Sequence, residues 1–168
     1  MSTLPKRVID VGRLGSEERV RLVASEADRA AIAKELGIVA VKSLSADLCA
    51  QPWRGRGVRL TGTIIGEVVQ ECVVTLEPVE GSVNEPINAS FHPDAAQRST
   101  VDIDPEAEDP PDPLEGRGLE LWSVVVEHFA LGLDPYPRAP GAAFQDEVDE
   151  EAEPSPFAAL AVLKHKSH

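Results

Sequence analysis

A short basic and aromatic stretch is the part of this sequence whose residue types could do specific chemistry. It reads Trp53-Arg54-Gly55-Arg56-Gly57-Val58-Arg59 and holds three arginines and one indole within seven residues. A guanidinium can hold a phosphate through two parallel hydrogen bonds, and an indole can stack on an unpaired base. The stretch therefore indicates an RNA contact, with Trp53, Arg54, Arg56 and Arg59 as candidate residues. The alternative is an exposed, glycine-loosened strand entry whose arginines pair with nearby acids.

The sequence carries no comparable signature of catalysis or metal binding. It has no nucleophile elbow, phosphate-binding loop, dinucleotide fingerprint or HExxH motif. Glu127 and His128 are adjacent and so point apart on a helix, which makes His128 a packing residue rather than a general base. Cys49 and Cys72 lie 23 residues apart without further ligands at short spacing, unlike a zinc site. We expect no enzymatic activity, no metal and no cofactor, and a buried, inert thiol at Cys72.

The net charge of −13 is concentrated in two stretches. Residues 101–120 contain eight acids and one arginine, and residues 145–153 contain six acids and no base. The remainder of the chain contains 15 acids and 15 bases. The sequence thus describes a charge-balanced body with two acidic attachments, which would repel phosphates but could engage basic proteins.

The hydrophobic pattern predicts the elements that must position these residues. Period-two alternation predicts strands at 7–11, 20–24, 38–44, 56–65, 68–76 and 82–91. Gln51-Pro52 should break or loosen the chain, and Gly66-Glu67 should form a turn or bulge. Ser25 should cap a helix over 26–36 that ends at Gly37, and an apolar stripe predicts a buried helix over 119–132. Because the connections are short, we expect an α+β fold with a mainly antiparallel sheet of five to six strands covered by two helices. This single domain should span residues 1–142.

Two regions are predicted to be flexible. Residues 92–118 carry five prolines among acids, which indicates a long acidic, Pro-rich loop within the domain. Residues 143–168 are predicted to be an acidic tail that ends in a short amphipathic motif, with Ser155 as its helix cap. The side chains of Phe157, Leu160 and Leu163 would either fold back onto the domain or dock on another protein, and they are candidate partner-binding residues.

Three segments in a fixed order carry a resemblance to a known family. They read Leu60-Thr-Gly-Thr-Ile-Ile-Gly-Glu-Val-Val-Gln-Glu-Cys-Val-Val-Thr-Leu-Glu-Pro-Val79, Leu131-Gly-Leu-Asp-Pro-Tyr-Pro-Arg138 and Pro156-Phe-Ala-Ala-Leu-Ala-Val-Leu-Lys164. Together they resemble the YceD family, the large ribosomal RNA subunit accumulation proteins, over roughly residues 5–164. Tyr136 and Arg138, in the second segment, join the candidate partner-binding residues.

The resemblance implies a cytoplasmic protein that supports the synthesis, processing or stability of large-subunit (23S) ribosomal RNA, with no established reaction. We expect an adaptor in ribosome assembly, whose partners are ribosomal proteins or pre-50S particles. The alternative is direct RNA binding through the stretch at Trp53. Some family members carry a paired cysteine signature in the central strand, where this sequence has Cys72 alone, so the resemblance does not support a metal role here. We further expect a monomer that contacts neither a membrane nor a small-molecule substrate.

Overall fold

The computed structural model describes residues 6–95 and 110–143, which form two sheets and two α-helices. Five strands make one sheet in the order β2-β3-β4-β5-β6, and β1 pairs with β7 in a small second sheet. The elements, in chain order, are β1 (Val8–Asp10), a 3-10 turn (Val11–Arg13), β2 (Glu18–Val23), α1 (Glu26–Leu36), β3 (Ala40–Trp53), β4 (Gly57–Glu71), β5 (Pro78–His92), β6 (Asp112–Pro113), β7 (Gly118–Glu120) and α2 (Leu121–Leu131). This confirms the α+β class, with a mostly antiparallel sheet and two helices.

The three long strands β3, β4 and β5 form an antiparallel meander. The predicted break at Gln51-Pro52 is wrong, because β3 continues to Trp53. β2 pairs with β3 only as far as Ala50, so β3 is an edge strand from that point on. An edge position tolerates proline, and Pro52 lies opposite Val58 of β4.

The turn or bulge predicted at Gly66-Glu67 is also wrong, because β4 runs through it without interruption and the register shift between β3 and β4 lies in β3, between Val41 and Ser43. Gly66 pairs with Leu44 on one side and Val83 on the other. A Cβ atom at Gly66 would lie 2.6 Å from Cε2 of Phe129. The glycine therefore serves the packing of α2 on the sheet rather than a change of chain direction.

Helix α1 begins and ends where the local signals predicted. Ser25 Oγ accepts a hydrogen bond from the backbone N–H of Asp28 at 3.3 Å, and the Asp28 carboxylate accepts one from the N–H of Ser25 at 2.9 Å. This reciprocal cap satisfies two backbone donors of the first turn. Gly37 ends the helix in a left-handed conformation with φ 65°, which costs glycine little.

Helix α2 is the buried helix that the apolar stripe predicted, but it begins two residues later. Leu119 belongs to β7, where it pairs with Ile9. Glu120 caps the helix, since its carboxylate accepts hydrogen bonds from the N–H groups of Trp122 and Ser123 at 3.2 and 2.7 Å. The buried side chains of α2 are Leu121, Trp122, Val124, Val125, Val126 and Phe129.

The second half of the predicted acidic loop is held against the body. Asp112 and Pro113 pair in parallel with the end of β5, and the side chain of Leu114 is buried. The expectation of one extended, solvated loop over 92–118 is therefore wrong for residues 110–118. Residues 96–109 lie outside the described residues, as do residues 144–168, which include Phe157, Leu160 and Leu163.

The main sheet has two unlike faces. On the inner face, alternate residues of β3, β4 and β5 join both helices in one hydrophobic core, to which Leu48, Leu60 and Ile87 contribute. On the opposite face, termed here the outer face, exposed residues such as Asp47, Thr63 and Asn88 alternate with that core. The helices α1 and α2 thus pack against the inner face.

Candidate nucleic-acid interface

The β3–β4 hairpin turn presents the basic stretch at one end of the sheet. Trp53 pairs with Gly57, so Arg54, Gly55 and Arg56 form the turn between them. Gly55 has φ 80°, and Arg54 is also left-handed, with φ 44°. This conformation suits glycine but costs an arginine on the order of 1 kcal/mol.

Trp53 is the centre of the arrangement. The Arg54 guanidinium lies 4.4 Å from the centroid of the indole ring, and the Arg59 guanidinium lies 5.7 Å from it. Each such cation–π contact is worth about 0.5–1 kcal/mol at an exposed site. The half-buried indole thus contacts two cations, one from the turn and one from β4.

His92 completes the aromatic part of the site from the end of β5. Its ring meets the Trp53 ring edge-on, with centroids 6.3 Å apart and planes at 78°. Gly57 makes this approach possible, because a Cβ there would lie 2.8 Å from Cδ2 of His92 and 2.7 Å from the carbonyl oxygen of Phe91.

An acid lies directly beside the arginines. Both carboxylate oxygens of Asp94 accept hydrogen bonds from Nη2 of Arg56, at 2.6 and 2.7 Å. The backbone N–H of Asp94 donates to Nδ1 of His92 at 3.1 Å, while Nε2 of His92 lies 3.3 Å from the carbonyl oxygen of Arg54. The neutral ring with its proton on Nε2 satisfies both contacts, a tautomer inferred from the hydrogen bonds.

These residues border an open cleft of about 420 Å³. Its lining consists of Trp53, Arg54, Gly55, Arg56, His92, Asp94, Ala95 and Pro111. A cleft of this size falls in the range of small-ligand sites. An aromatic face beside guanidinium groups suits a planar base attached to a phosphate.

The structure brings the four predicted residues together and adds two that the sequence reasoning missed. Trp53, Arg54, Arg56 and Arg59 form, with His92 and Asp94, what is termed here the hairpin cluster. His92 follows Phe91, which pairs with Val58. The register of β4 with β5 therefore places His92 beside Trp53, but this register can be derived only when the position of the β4–β5 turn is known. The alternative interpretation, in which arginines pair with nearby acids, describes Arg56 correctly.

The other predicted contact residues lie at the opposite end of β4, around the β4–β5 turn. The N–H of Val73 donates to the carbonyl oxygen of Pro137 at 2.9 Å, which holds the segment that carries Tyr136 and Arg138 against this turn. The side chains of Val73, Leu76 and Tyr136 are 47%, 69% and 71% exposed, and are termed here the apolar surface. Leu76 is left-handed, with φ 61°.

Cys72 lies beneath this surface, and its side chain is buried as predicted. Its sulfur accepts hydrogen bonds from the N–H groups of Val74 and Thr75, each at 3.4 Å, and of Ala139 at 3.3 Å. Hydrogen bonds from Thr75, and next from the backbone of Ala139, lower the pKa of Cys72 to about 6. The thiol is thus buried, as expected, and has a lowered pKa, while its inertness stays a prediction.

Neither metal ligands nor a membrane span is found in the part of the chain that the structure describes. Within residues 6–95 and 110–143, no three His, Cys, Asp or Glu side chains gather where they could hold a metal ion. No helix in those residues has the length and apolar character that crossing a membrane requires.

A family model described as "Large ribosomal RNA subunit accumulation protein YceD" matches residues 60–164, more than half of the 168-residue chain. No curated protein and no solved structure matches the chain. The match includes His92, Asp94 and the apolar surface, whereas Trp53, Arg54, Arg56 and Arg59 precede it. A role for those four residues is therefore argued from their geometry alone.

Proposed function

Because the chain belongs to the YceD family of large ribosomal RNA subunit accumulation proteins, we propose that it supports the accumulation of that RNA as a non-enzymatic protein which contacts RNA directly. The family description itself states a role in accumulation and names no reaction. The observation that carries the proposal is the half-buried indole of Trp53, which contacts the Arg54 and Arg59 guanidiniums at the border of an open cleft.

The chemistry of the hairpin cluster matches that of an unpaired nucleotide. Stacking of a base on an aromatic side chain contributes about 1–3 kcal/mol. The guanidiniums that contact the indole can bond the phosphate of a nucleotide that stacks on it. The Arg56–Asp94 pair fixes one guanidinium in orientation, and RNA would have to compete with that carboxylate.

The overall charge limits the affinity that such a site can reach. Five acids of residues 101–109 are joined by the chain to Ala95 and Pro111, which line the cleft. They oppose phosphate binding in addition to Asp94. We therefore expect RNA binding that is strongest at low salt and that weakens steeply as salt screens the arginines.

Titration of the full chain with labelled single-stranded fragments of 23S ribosomal RNA tests the proposal. The double variant Arg54→Ala/Arg56→Ala should bind about tenfold more weakly at low salt, and its slope of log affinity against log salt should flatten by about 1 to 1.5. The matched control is Arg13→Ala/Lys34→Ala, which removes the same charge away from the hairpin. Equal losses in both double variants, or no binding by the unmodified protein, would rule out the proposal.

A second candidate function is an adaptor that acts through protein contacts, which the apolar surface favours. Val73, Leu76 and Tyr136 expose apolar area at the end of the sheet opposite to the hairpin cluster. The acidic stretches would attract basic ribosomal proteins. Capture of ribosomal proteins or pre-50S particles from lysate by the unmodified protein, by Leu76→Asn and by a chain ending at Gly141 tests this candidate. Unchanged recovery with both variants would remove the apolar surface and the tail from the mechanism.

A further inference from the structure

The outer face of the main sheet continues the hairpin cluster across the molecule. The strand register sets its side chains in rows, because residues directly opposite one another share a face. Gln51, Arg59 and Ser90 form the row next to Trp53. The following row runs from β2 to β5 and consists of Arg19, Cys49, Thr61 and Asn88.

These two rows are polar and contain no acid of their own. Their hydroxyl, amide and guanidinium groups can bond the phosphates, riboses and base edges of an RNA strand. Glu17 lies beside the β2 end of the two rows, where it accepts hydrogen bonds from Nε of Arg19 at 2.7 Å and from Nε2 of Gln51 at 3.0 Å. The rows and the cluster together contain four arginines, namely Arg19, Arg54, Arg56 and Arg59.

The rows without an acid end at the next position along the strands. There Asp47 lies 3.8 Å from the guanidinium of Arg21. Beyond this pair, the outer face carries Ile65 and Glu67, both exposed. The half of the face nearest Trp53 thus carries cationic and hydrogen-bonding groups that suit RNA, whereas the other half carries the acids Asp47 and Glu67.

The width of this half sets the length of strand that it can hold. Adjacent strands lie about 4.8 Å apart, so the face from β2 to β5 is roughly 14 Å wide. A sheet face with aromatic residues accommodates about two or three stacked bases in known RNA-binding modules. Trp53 can stack only on a base that is not already paired and stacked within a duplex.

We propose that the outer face, from Trp53 to the row that contains Arg19, is a track for about two or three unpaired nucleotides of a single RNA strand. This proposal rests on the proposed function and adds the substrate class: single-stranded rather than duplex RNA. The base stacks at Trp53, and the strand continues over Arg59 to the row that Arg19, Thr61 and Asn88 share.

A pair of matched variants on β5 tests the track. Asn88→Glu places a carboxylate within it, whereas Asn84→Glu places the same group on the same strand and face, four residues or about 13 Å away. Both positions are exposed, so both variants should fold, which circular dichroism and the thermal midpoint check. The probes are an oligouridine strand and a duplex RNA of equal length, titrated against the full chain at low salt.

The unmodified protein should bind the single strand about tenfold more tightly than the duplex. Asn88→Glu should weaken single-strand binding by about three- to tenfold, while Asn84→Glu should leave it within about twofold. Equal affinity for both probes, or equal effects of the two variants, would overturn the track. If binding still depended on Arg54 and Arg56 in that case, the proposed function would stand without the track. Absence of binding to either probe would overturn both.

Discussion

The two ends of β4 are built alike and carry opposite chemistry. Each end enters a tight turn in which one residue other than glycine is left-handed: Arg54 in the β3–β4 turn and Leu76 in the β4–β5 turn. At the first end the strained residue places a cation over Trp53, and at the second it exposes an apolar side chain. Neither arginine nor leucine is needed at these positions merely to reverse the chain, because glycine or asparagine would adopt the left-handed conformation with less strain.

The difference lies in what each turn packs against. The first turn is stabilised by its own side chains and by the end of β5, through Trp53, His92 and the Arg56–Asp94 pair. The second is stabilised by a distant segment, since the backbone of Pro137 and Ala139 bonds to Val73 and Cys72. One strand can thus carry two independent contact surfaces, provided that its middle is fixed.

The largest expected effect comes from loosening that middle. Phe129 is fully buried over Gly66, so Phe129→Ala should lower the free energy of unfolding by about 3–5 kcal/mol. Gly66→Ala should lower it by about 1–3 kcal/mol, because the added methyl group meets a ring that cannot move away. Denaturant unfolding measures both values, and hydrogen exchange at the two turns shows whether they loosen together.

A double-variant cycle separates this contact from general damage. Gly66→Ala combined with Phe129→Leu should be less destabilised than the sum of the single variants, since the smaller side chain makes room for the methyl group. If the losses in free energy of unfolding were additive, Gly66 and Phe129 would not act through their contact. Loss of amide protection at only one turn would contradict the idea that this contact stabilises both ends of β4.

How much of this could be predicted from the sequence depends on how local each signal is. The cap at Ser25 and the end of α1 at Gly37 use residues within a few positions of each other, and both were predicted correctly. Gly66 carries the same local signal as a turn glycine, but its role is set by Phe129, 63 positions further along the sequence. Pro52 was misjudged for a similar reason, since an edge strand is defined only by where its neighbour ends.

The candidate site follows the same rule. Trp53, Arg54, Arg56 and Arg59 are close in sequence, so their grouping was visible without a structure. His92 and Asp94 join them only through the register of β4 with β5, and the outer-face track depends on the register of four strands. Residues that meet across strands are not marked by any spacing in the sequence.

A change of pH should act on the second end of β4 in particular. The pKa of Cys72 is about 6 in the folded protein, against 9.0 for an ordinary thiol. Between these values the unfolded chain binds the extra proton, so this group adds stability as pH rises from about 6 to about 9 and the gain is lost on acidification through pH 6. The difference in denaturant midpoint between the unmodified protein and Cys72→Ser should therefore grow over that interval.

Cys49→Ser is the matched control, since it replaces the other thiol in the same way. Exchange of the Ala139 amide, which donates to the Cys72 sulfur, should lose protection on acidification sooner than amides of the β3–β4 turn, after correction for intrinsic rates. A pH-independent difference between the unmodified protein and Cys72→Ser would show that the thiolate does not contribute to folding.

The smallest effects should come from relieving the strain at each turn. Asparagine tolerates the left-handed conformation, so Leu76→Asn should raise the free energy of unfolding by about 0.5–1 kcal/mol. Arg54→Asn should gain a similar free energy of unfolding but lose the cation–π contact with Trp53, worth about 0.5–1 kcal/mol, so its net change in stability should be near zero.

Val73→Asn is the control for Leu76→Asn, because it replaces an exposed apolar residue of the same turn that is not left-handed. If Leu76→Asn and Val73→Asn changed stability equally, strain would not distinguish position 76. If Leu76→Asn raised the free energy of unfolding and also captured fewer ribosomal proteins from lysate, we would infer that the leucine occupies a strained position because a partner contacts it there. RNA would contact Arg54 in the corresponding way at the other end of β4.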